Sequence, residues 1–196
     1  MSNIVLYYFL MPQGSAVAGT VPLCVDLDGT LADSDQGLAA LMRFIKKGPW
    51  RLFMPFLWYL SGGRALAKRR LAERTPIDPS RLSYREDFLE FLRRESGLGR
   101  NLVLATGADE IYARAVARHL GIFSRVLASD GRVNLIGEAK RAALVALFGE
   151  KGFDYAGDSW VDIPVWRSSR AAILVRPERS LERRVRSFQI PVARVF

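Results

Sequence analysis

Thiol and imidazole are nearly missing from this chain: one cysteine, Cys24, and one histidine, His119, in 196 residues. A single cysteine excludes a disulfide framework and points to a reducing compartment, so Cys24 reads as a small buried core residue. His119 falls late in a helical stretch and reads as structural. Long apolar runs are also lacking. Residues 4–11 (Ile-Val-Leu-Tyr-Tyr-Phe-Leu-Met) and residues 50–60 are the most apolar windows, and both are too short to span a bilayer. No positively charged segment precedes the first window, so a secretory signal is not expected. Residues 1–20 read as an N-terminal extension. Internal repeats, low-complexity tracts and nucleic-acid-binding motifs are absent, so no nucleic-acid partner is expected.

Acid is in deficit too. Twenty Asp and Glu face 29 Lys and Arg, a formal charge of +9. Such an excess is either a solvated Arg-rich surface or a match for an anionic partner, such as a phosphorylated substrate or an anionic membrane face. Half of the residues are hydrophobic (49%), enough for one domain with a core of its own and a small insertion.

What the chain does have begins at Pro22-Leu23-Cys24-Val25-Asp26-Leu27-Asp28-Gly29-Thr30-Leu31. A short apolar strand runs into a carboxylate, a second carboxylate follows two positions later, and a Gly-Thr turn closes the run. Residues i and i+2 of an extended segment share a side, so Asp26 and Asp28 would stand close together at a strand's carboxyl end, where open α/β sheets bind ligands. Two carboxylates so placed need a cation or a proton between them.

From residue 100 the pattern alternates. Apolar strands at 102–105, 124–128, 153–156, 171–175 and 192–196 are separated by helical stretches at 109–121, 138–148, after Asp162, and near 181–186. This predicts an α/β fold with a Rossmann-like, doubly wound parallel sheet. The stretch 35–81 interrupts the alternation and reads as a small all-helical cap inserted after the first strand. Residues 21–34 and 82–196 then form the core. Within the cap, Asp35 is expected to cap a helix from Gln36 to about Lys46 with Leu38, Leu41, Met42 and Ile45 on one apolar face. An aromatic segment (Trp50, Phe53, Phe56, Trp58, Tyr59) and a basic helix carrying Arg64, Lys68, Arg69, Arg70 and Arg74 follow. Ser83-Tyr84-Arg85-Glu86 has the form of a capping box for the next helix.

Three strand ends would meet at one edge, carrying Asp26 with Asp28, Thr106 with Gly107, and Asp158 with Asp162. Carboxylates converging there suit a hard cation such as magnesium. Thr106 and the N–H groups after it, expected to open a helix, would receive a phosphate oxygen. Lys140 can bring an ammonium to the same place.

Asp26-Leu27-Asp28-Gly29-Thr30, Thr106, Lys140 and Gly157-Asp158-Ser159-Trp160-Val161-Asp162 resemble, in order and spacing, the four motifs of the haloacid dehalogenase (HAD) superfamily. The resemblance covers about residues 21–176. Its helical insertion is similar to the cap of the phosphoserine-phosphatase-like branch. It implies a magnesium-dependent phosphate monoester hydrolase that works through an aspartyl-phosphate. Carried onto this chain, Asp26 is the nucleophile and Asp28 the general acid and base. Thr106, Gly107 and Lys140 bind phosphate. Asp26, Asp158 and the backbone carbonyl of Asp28 ligate the metal, with Asp162 acting through water or by orienting that shell. An acid at position 28 suits ester hydrolysis; relatives that cleave carbon–halogen bonds lack it, and ion-pumping ATPases carry Lys beside the nucleophile where this chain has Leu27. The chain departs from near relatives at Ile136, where they often have a lysine. Asp35 and Lys68 are candidates for selecting the leaving group.

The stretches Leu104–Glu110, Val126–Arg132 and Gly152–Asp158 also resemble the HAD domain that precedes UbiA-like polyprenyl transferases. That likeness implies a sugar phosphate or a polyprenyl-linked phosphoribose as substrate; the reducing compartment indicated by the single cysteine makes a cytoplasmic protein the expectation. It leaves two alternatives: a phosphotransferase sharing the intermediate, and a non-catalytic partner domain of a membrane prenyl transferase. The aromatic and basic cap residues raise peripheral contact with the inner membrane face as a further possibility; the competing expectation is that the aromatics are buried against the core.

Overall fold

The computed structural model describes residues 20–196; the expected extension lies outside them except for its last residue. Six short strands form one parallel sheet: β1 (Leu23–Val25), β2 (Leu102–Asp109), β3 (Arg125–Ser129), β4 (Asp154–Gly157), β5 (Ala172–Leu174) and β6 (Val192–Val195), in the order β3-β2-β1-β4-β5-β6. Leu23 of β1 lies opposite Leu102 on one side and Asp154 on the other, and Val25 opposite Leu104 and Ala156. The chain therefore leaves β1 for one flank of the sheet and returns to the other. This makes the carboxyl end of β1 the switch point where doubly wound sheets bind ligands.

Alternation along the strands divides the core into two layers. Leu23, Val25, Leu102 and Leu104 pack on one face of the sheet with Phe88 and Leu92 of α3 (Glu86–Gly97) and Ala113 and Val116 of α4 (Glu110–Leu120). Cys24, Val103 and Ala105 face the other way. They meet Leu144 of α5 (Gly137–Phe148), Trp166 of α6 (Ile163–Ser168) and Val185 of α7 (Arg179–Ser187). Burial on both faces explains why these strands read as continuous apolar runs. At the opposite end of β4 from the switch point, the buried Asp154 is gripped by Arg100 and by a two-pronged contact from Arg170 (2.9 and 2.6 Å).

Two helices, α1 (Gln36–Ile45) and α2 (Met54–Arg74), stand between β1 and α3 in the chain. Asp35 caps α1 as expected, its Oδ1 accepting from the Leu38 N–H at 2.9 Å. The buried side of α1 differs from the expected one. Gln36, Ala40 and Phe44 are buried, while Leu38 and Met42 are exposed. The helix is apolar almost all round, so periodicity groups residues into faces without saying which face turns inward. The helix α2 is broken at Gly62 and Gly63, whose backbones leave helical geometry. Its second half is fastened to the core. Leu71 and Ala72 pack with Tyr112, the Thr75 and Tyr112 hydroxyls are 2.8 Å apart, and Arg69 reaches Asp109 (3.1 Å) and Glu110 (3.3 Å). Its first half, before the break, leaves Phe56, Leu57 and Leu60 exposed.

The capping box expected at Ser83 to Glu86 does not form. Arg85 occupies the N-cap position without a side-chain bond, and the Ser83 hydroxyl donates to Asp33. Asp33 also pairs with Arg85 (2.6 Å), whose Nε donates to the Gly29 carbonyl at 3.0 Å. These contacts tie the start of α3 to the turn after β1 instead.

Candidate active site

The Asp26 backbone N–H still belongs to the sheet, donating to the Ala156 carbonyl at 3.0 Å, so the Asp26 side chain is set rigidly at the end of β1. Its Oδ1 accepts from the Leu27 N–H (2.8 Å) and its Oδ2 lies 3.1 Å from Lys140 Nζ. Lys140 is buried one turn into α5, and it also donates to the Tyr155 hydroxyl (2.7 Å) and to Asp162 Oδ1 (3.3 Å). The Tyr155 hydroxyl in turn donates to the same Asp162 oxygen at 2.7 Å. Asp162 Oδ2 receives the Ser159 N–H and hydroxyl, both at 3.3 Å. Lys140 and Asp162 are thus locked to each other through a tyrosine.

Asp28 is turned toward the cap, where its Oδ1 accepts the Gln36 N–H of the first turn of α1 at 2.9 Å. Asp158 Oδ1 accepts the Thr30 hydroxyl at 2.9 Å. Thr106 is fully buried, its hydroxyl accepting from the Ala108 N–H. The Gly107 carbonyl accepts from Lys68 Nζ (2.6 Å) and the Ser129 hydroxyl (2.8 Å), and Lys68 also donates to Asn134. The segment after Thr106 does not open a helix. The strand runs on to Asp109, slipping in register against β3, and α4 begins at Glu110 with Asp109 as its cap. Any anion-binding N–H groups at Gly107 and Ala108 therefore belong to an irregular strand end.

A cavity of about 220 Å³ connects these groups, lined by Asp26, Asp28, Thr106, Gly107, Lys140 and Asp162, with Asp35 and Lys68 at its cap side. It gathers the acids and bases named from the sequence, except Asp158, which stands beside it. His119 lies elsewhere, stacked on Tyr84.

Electrostatics follow burial and neighbours. Burial pushes the Asp26 carboxyl up while Lys140 pulls against it. Burial alone would lower the Lys140 ammonium, but Asp26 and Asp162 reverse this and hold it above its ordinary value. Burial raises Asp28 to about 6, opposed by the bond from Gln36. Burial also raises Asp158 and lowers Lys68.

Oxygen atoms of Asp26, Asp158 and Asp162 lie within 4.8 Å of one another. Three carboxylates with one ammonium among them leave a local excess of negative charge, and an all-oxygen donor set matches magnesium or another hard divalent cation. The backbone leaves room for these acids. Gly29 has φ +78°, and a Cβ there would fall 2.2 Å from Asp158 Oδ2; at Gly157 it would meet Asp162 Oδ2 at 2.6 Å. The residues present therefore fit a metal ion. Asp162 lies nearer to that centre than the sequence suggested, although both its oxygens already serve Lys140, Tyr155 and Ser159.

Tyr155, Thr30 and Gln36 were not recognised from the sequence. Thr30 sits inside the first motif and Tyr155 alternates with apolar neighbours on β4, so each read as motif filler or core. Gln36 acts through its backbone N–H, which no side-chain pattern reveals.

The family model for haloacid dehalogenase-like hydrolases matches residues 23–167. The uncharacterized protein y4nM of Sinorhizobium fredii is 36% identical over 172 residues, 88% of this chain and 33% of that protein, so the chain spans about a third of its curated relative. Among solved structures, a Bordetella pertussis protein with unknown function is 17% identical with a TM-score of 0.62, covering 87% of this chain and 96% of that one. Phosphoserine phosphatase, in its apo form and as an analogue of its phospho-aspartyl intermediate, is 14% identical with TM-scores of 0.60 and 0.59, covering 90% of this chain and 93% of that one. At these identities the likeness to solved structures is one of fold. Most of the chain's length lies within the family match, and the chain belongs to the haloacid dehalogenase-like hydrolases.

Proposed function

We propose that the protein is a magnesium-dependent phosphate monoester hydrolase working through an aspartyl-phosphate on Asp26. The observation that carries this reading is the pairing of Asp26 Oδ2 with buried Lys140 at 3.1 Å, in one cavity with a second carboxyl at Asp28. An anionic nucleophile must approach an anionic ester, and the ammonium beside it offsets that repulsion. Asp26 attacks phosphorus, and the bond from phosphorus to the ester oxygen breaks. Asp28, as the neutral acid, gives its proton to the departing alkoxide. Water then attacks phosphorus and loses a proton to Asp28. The bond from phosphorus to Asp26 breaks, phosphate leaves, and both residues return to their starting states. A carboxyl raised to about 6 can serve as acid and as base near neutral pH.

Thr106, the N–H of Gly107 and Lys140 would hold the phosphoryl oxygens. Because Lys140 is already bound to Tyr155 and Asp162 and paired with Asp26, phosphate binding would exchange one of these contacts for a phosphoryl oxygen. Asp26, Asp158 and the Asp28 carbonyl would hold the cation, with Asp162 orienting Lys140 beside it. When bound, the cation would supply charge stabilisation to the phosphoryl group.

A cavity of about 220 Å³ suits a compact phosphorylated head group, since pockets for drug-sized ligands run to roughly 300–1,000 Å³. A sugar phosphate, or the phosphoribose end of a polyprenyl-linked substrate, is the class proposed. Asp35 and Lys68 would meet its leaving group. The test is release of inorganic phosphate from a panel of phosphate esters with magnesium and no added acceptor, run beside Asp26→Asn. Hydrolysis that vanishes in the variant supports the reading. Turnover only with an acceptor would make it a phosphotransferase. A variant as active as the parent would remove Asp26 as nucleophile, and inactivity on every ester would favour a non-catalytic partner domain.

A further inference from the structure

The chain's positive charge is not spread evenly. Residues 36–74 hold nine Lys and Arg against one acid, Glu73, whereas the rest of the chain holds twenty against nineteen. Nearly all of the +9 therefore sits on the cap. The same segment carries the largest run of exposed apolar side chains. Trp50 (59%), Phe53 (67%), Phe56 (59%) and Leu60 (65%) are all open to solvent, with Leu52 and Leu57 between them. The aromatics expected to be buried against the core are mostly outside; only Trp58 turns in, its ring 5.3 Å from that of Phe44. The break at Gly62 and Gly63 separates this half of α2 from the half fastened to the core.

Beside the apolar run lies a second cavity of about 270 Å³, lined by Phe44, Lys47, Trp50, Arg51, Met54 and Arg74. The Arg51 guanidinium rests on the Phe44 and Trp50 rings, 5.0 and 5.1 Å from their centroids, and its buried Nε has no hydrogen-bond partner. Among the described residues, no carboxylate pairs with Lys47 or Arg51, whereas Arg74 lies 3.5 Å from Glu73 and rests on the Trp58 ring. Cations with an unmet donor, set against aromatic rings and next to exposed Leu and Phe, match a phosphate head group at the edge of an apolar layer.

We propose that this face of the cap docks on an anionic lipid bilayer, with residues 50–60 entering the interface and the Lys47, Arg51 and Arg74 cavity receiving a lipid phosphate. A second copy is a poor occupant, because it would bring the same dense positive charge to the contact. A bilayer satisfies both features at once: apolar side chains leave water and the basic side chains meet a negative surface. The inference concerns a surface away from the catalytic acids and does not depend on which reaction the site performs.

The test is co-sedimentation with phosphatidylcholine vesicles, with and without phosphatidylserine, while Trp fluorescence is followed. The protein is expected to sediment only with the anionic vesicles, with a blue shift from Trp50 entering the interface, and to be released by salt. Lys47→Gln with Arg51→Gln should weaken partitioning by about fivefold per charge removed. Phe53→Ser with Phe56→Ser, both exposed and so harmless to folding, should abolish it, with circular dichroism unchanged in both variants. The proposal is overturned if the protein stays in the supernatant with anionic vesicles, if it binds neutral vesicles equally well, or if either double variant binds like the parent. It is also overturned if inorganic phosphate at constant ionic strength displaces the protein, which would mark a site for soluble anions. Dimerisation that shields Trp50 from a soluble quencher would give the face to a second copy instead.

Discussion

Replacing Lys140 by Met keeps the aliphatic stem and deletes the charge, and the structure says what should follow. Asp162 keeps the Tyr155 hydroxyl at 2.7 Å and both Ser159 donors, so it stays largely satisfied. Asp26 does not, because its Oδ2 loses the ammonium at 3.1 Å. Removing one partner of a buried ion pair costs about 3–5 kcal/mol. The Asp26 side chain keeps 12% of its surface exposed toward the cavity, so water can partly replace the lysine, and about 3 kcal/mol is expected. Asp26, Asp158 and Asp162 are then left without the ammonium that stood among them, Lys68 remaining on the cap side of the cavity, and a divalent cation should bind more tightly than in the parent. A cation at about 100 times its Kd returns about 2.7 kcal/mol. Denaturant unfolding in a chelator and in magnesium reads both effects: a loss of about 3 kcal/mol without metal, most of it recovered with metal. Turnover of whichever ester proves to be a substrate should fall by about 100- to 1,000-fold, the scale of losing one charge-stabilising donor. Unchanged stability in the chelator, or equal stabilisation of parent and variant by magnesium, would refute the claim that Lys140 neutralises Asp26 beside a cation site.

Gly29→Ala should disturb the same centre sterically. The left-handed backbone at φ +78° costs about 1–2 kcal/mol for a residue with a Cβ. The new methyl would also push Asp158 off its position, so the rise in melting temperature on adding magnesium should shrink; a full rise would mean that Asp158 is not a ligand. Cys24 is completely buried, and burial lifts its thiol well above the ordinary range, with Asp154 adding to the effect. A raised folded-state value means its contribution is fully present below the unfolded thiol value near 9 and is lost as pH rises beyond it. The stability gap between the parent and Cys24→Ala should therefore narrow above pH 9 by about 1.4 kcal/mol per unit, measured by urea unfolding along a pH series. A gap that stays constant would mean that Cys24 ionises in the folded state as readily as in the unfolded chain.

Much of the site was legible because each part is local. Asp26 and Asp28 end a strand whose apolar run can be read residue by residue, and Asp158 and Asp162 follow another. A parallel sheet then has little choice but to collect those ends at one edge. What the sequence left open depends on partners distant along the chain. The apolar residues of α1 could be grouped into a face, yet whether Leu38 and Met42 or Ala40 and Phe44 turn inward is settled by the fit against α2 and Tyr112. Ser83 had the spacing for a capping box, but Asp33, fifty residues away, takes its hydroxyl. Tyr155 looked like any core residue of a buried strand until Lys140 and Asp162 closed around its hydroxyl. The sequence by itself determined the chemistry available: which acids, which lysine and how much positive charge on the cap. Only the tertiary structure decided which protons those groups share, and that the aromatic half of the cap faces outward, because burial and hydrogen-bond partners are properties of packing.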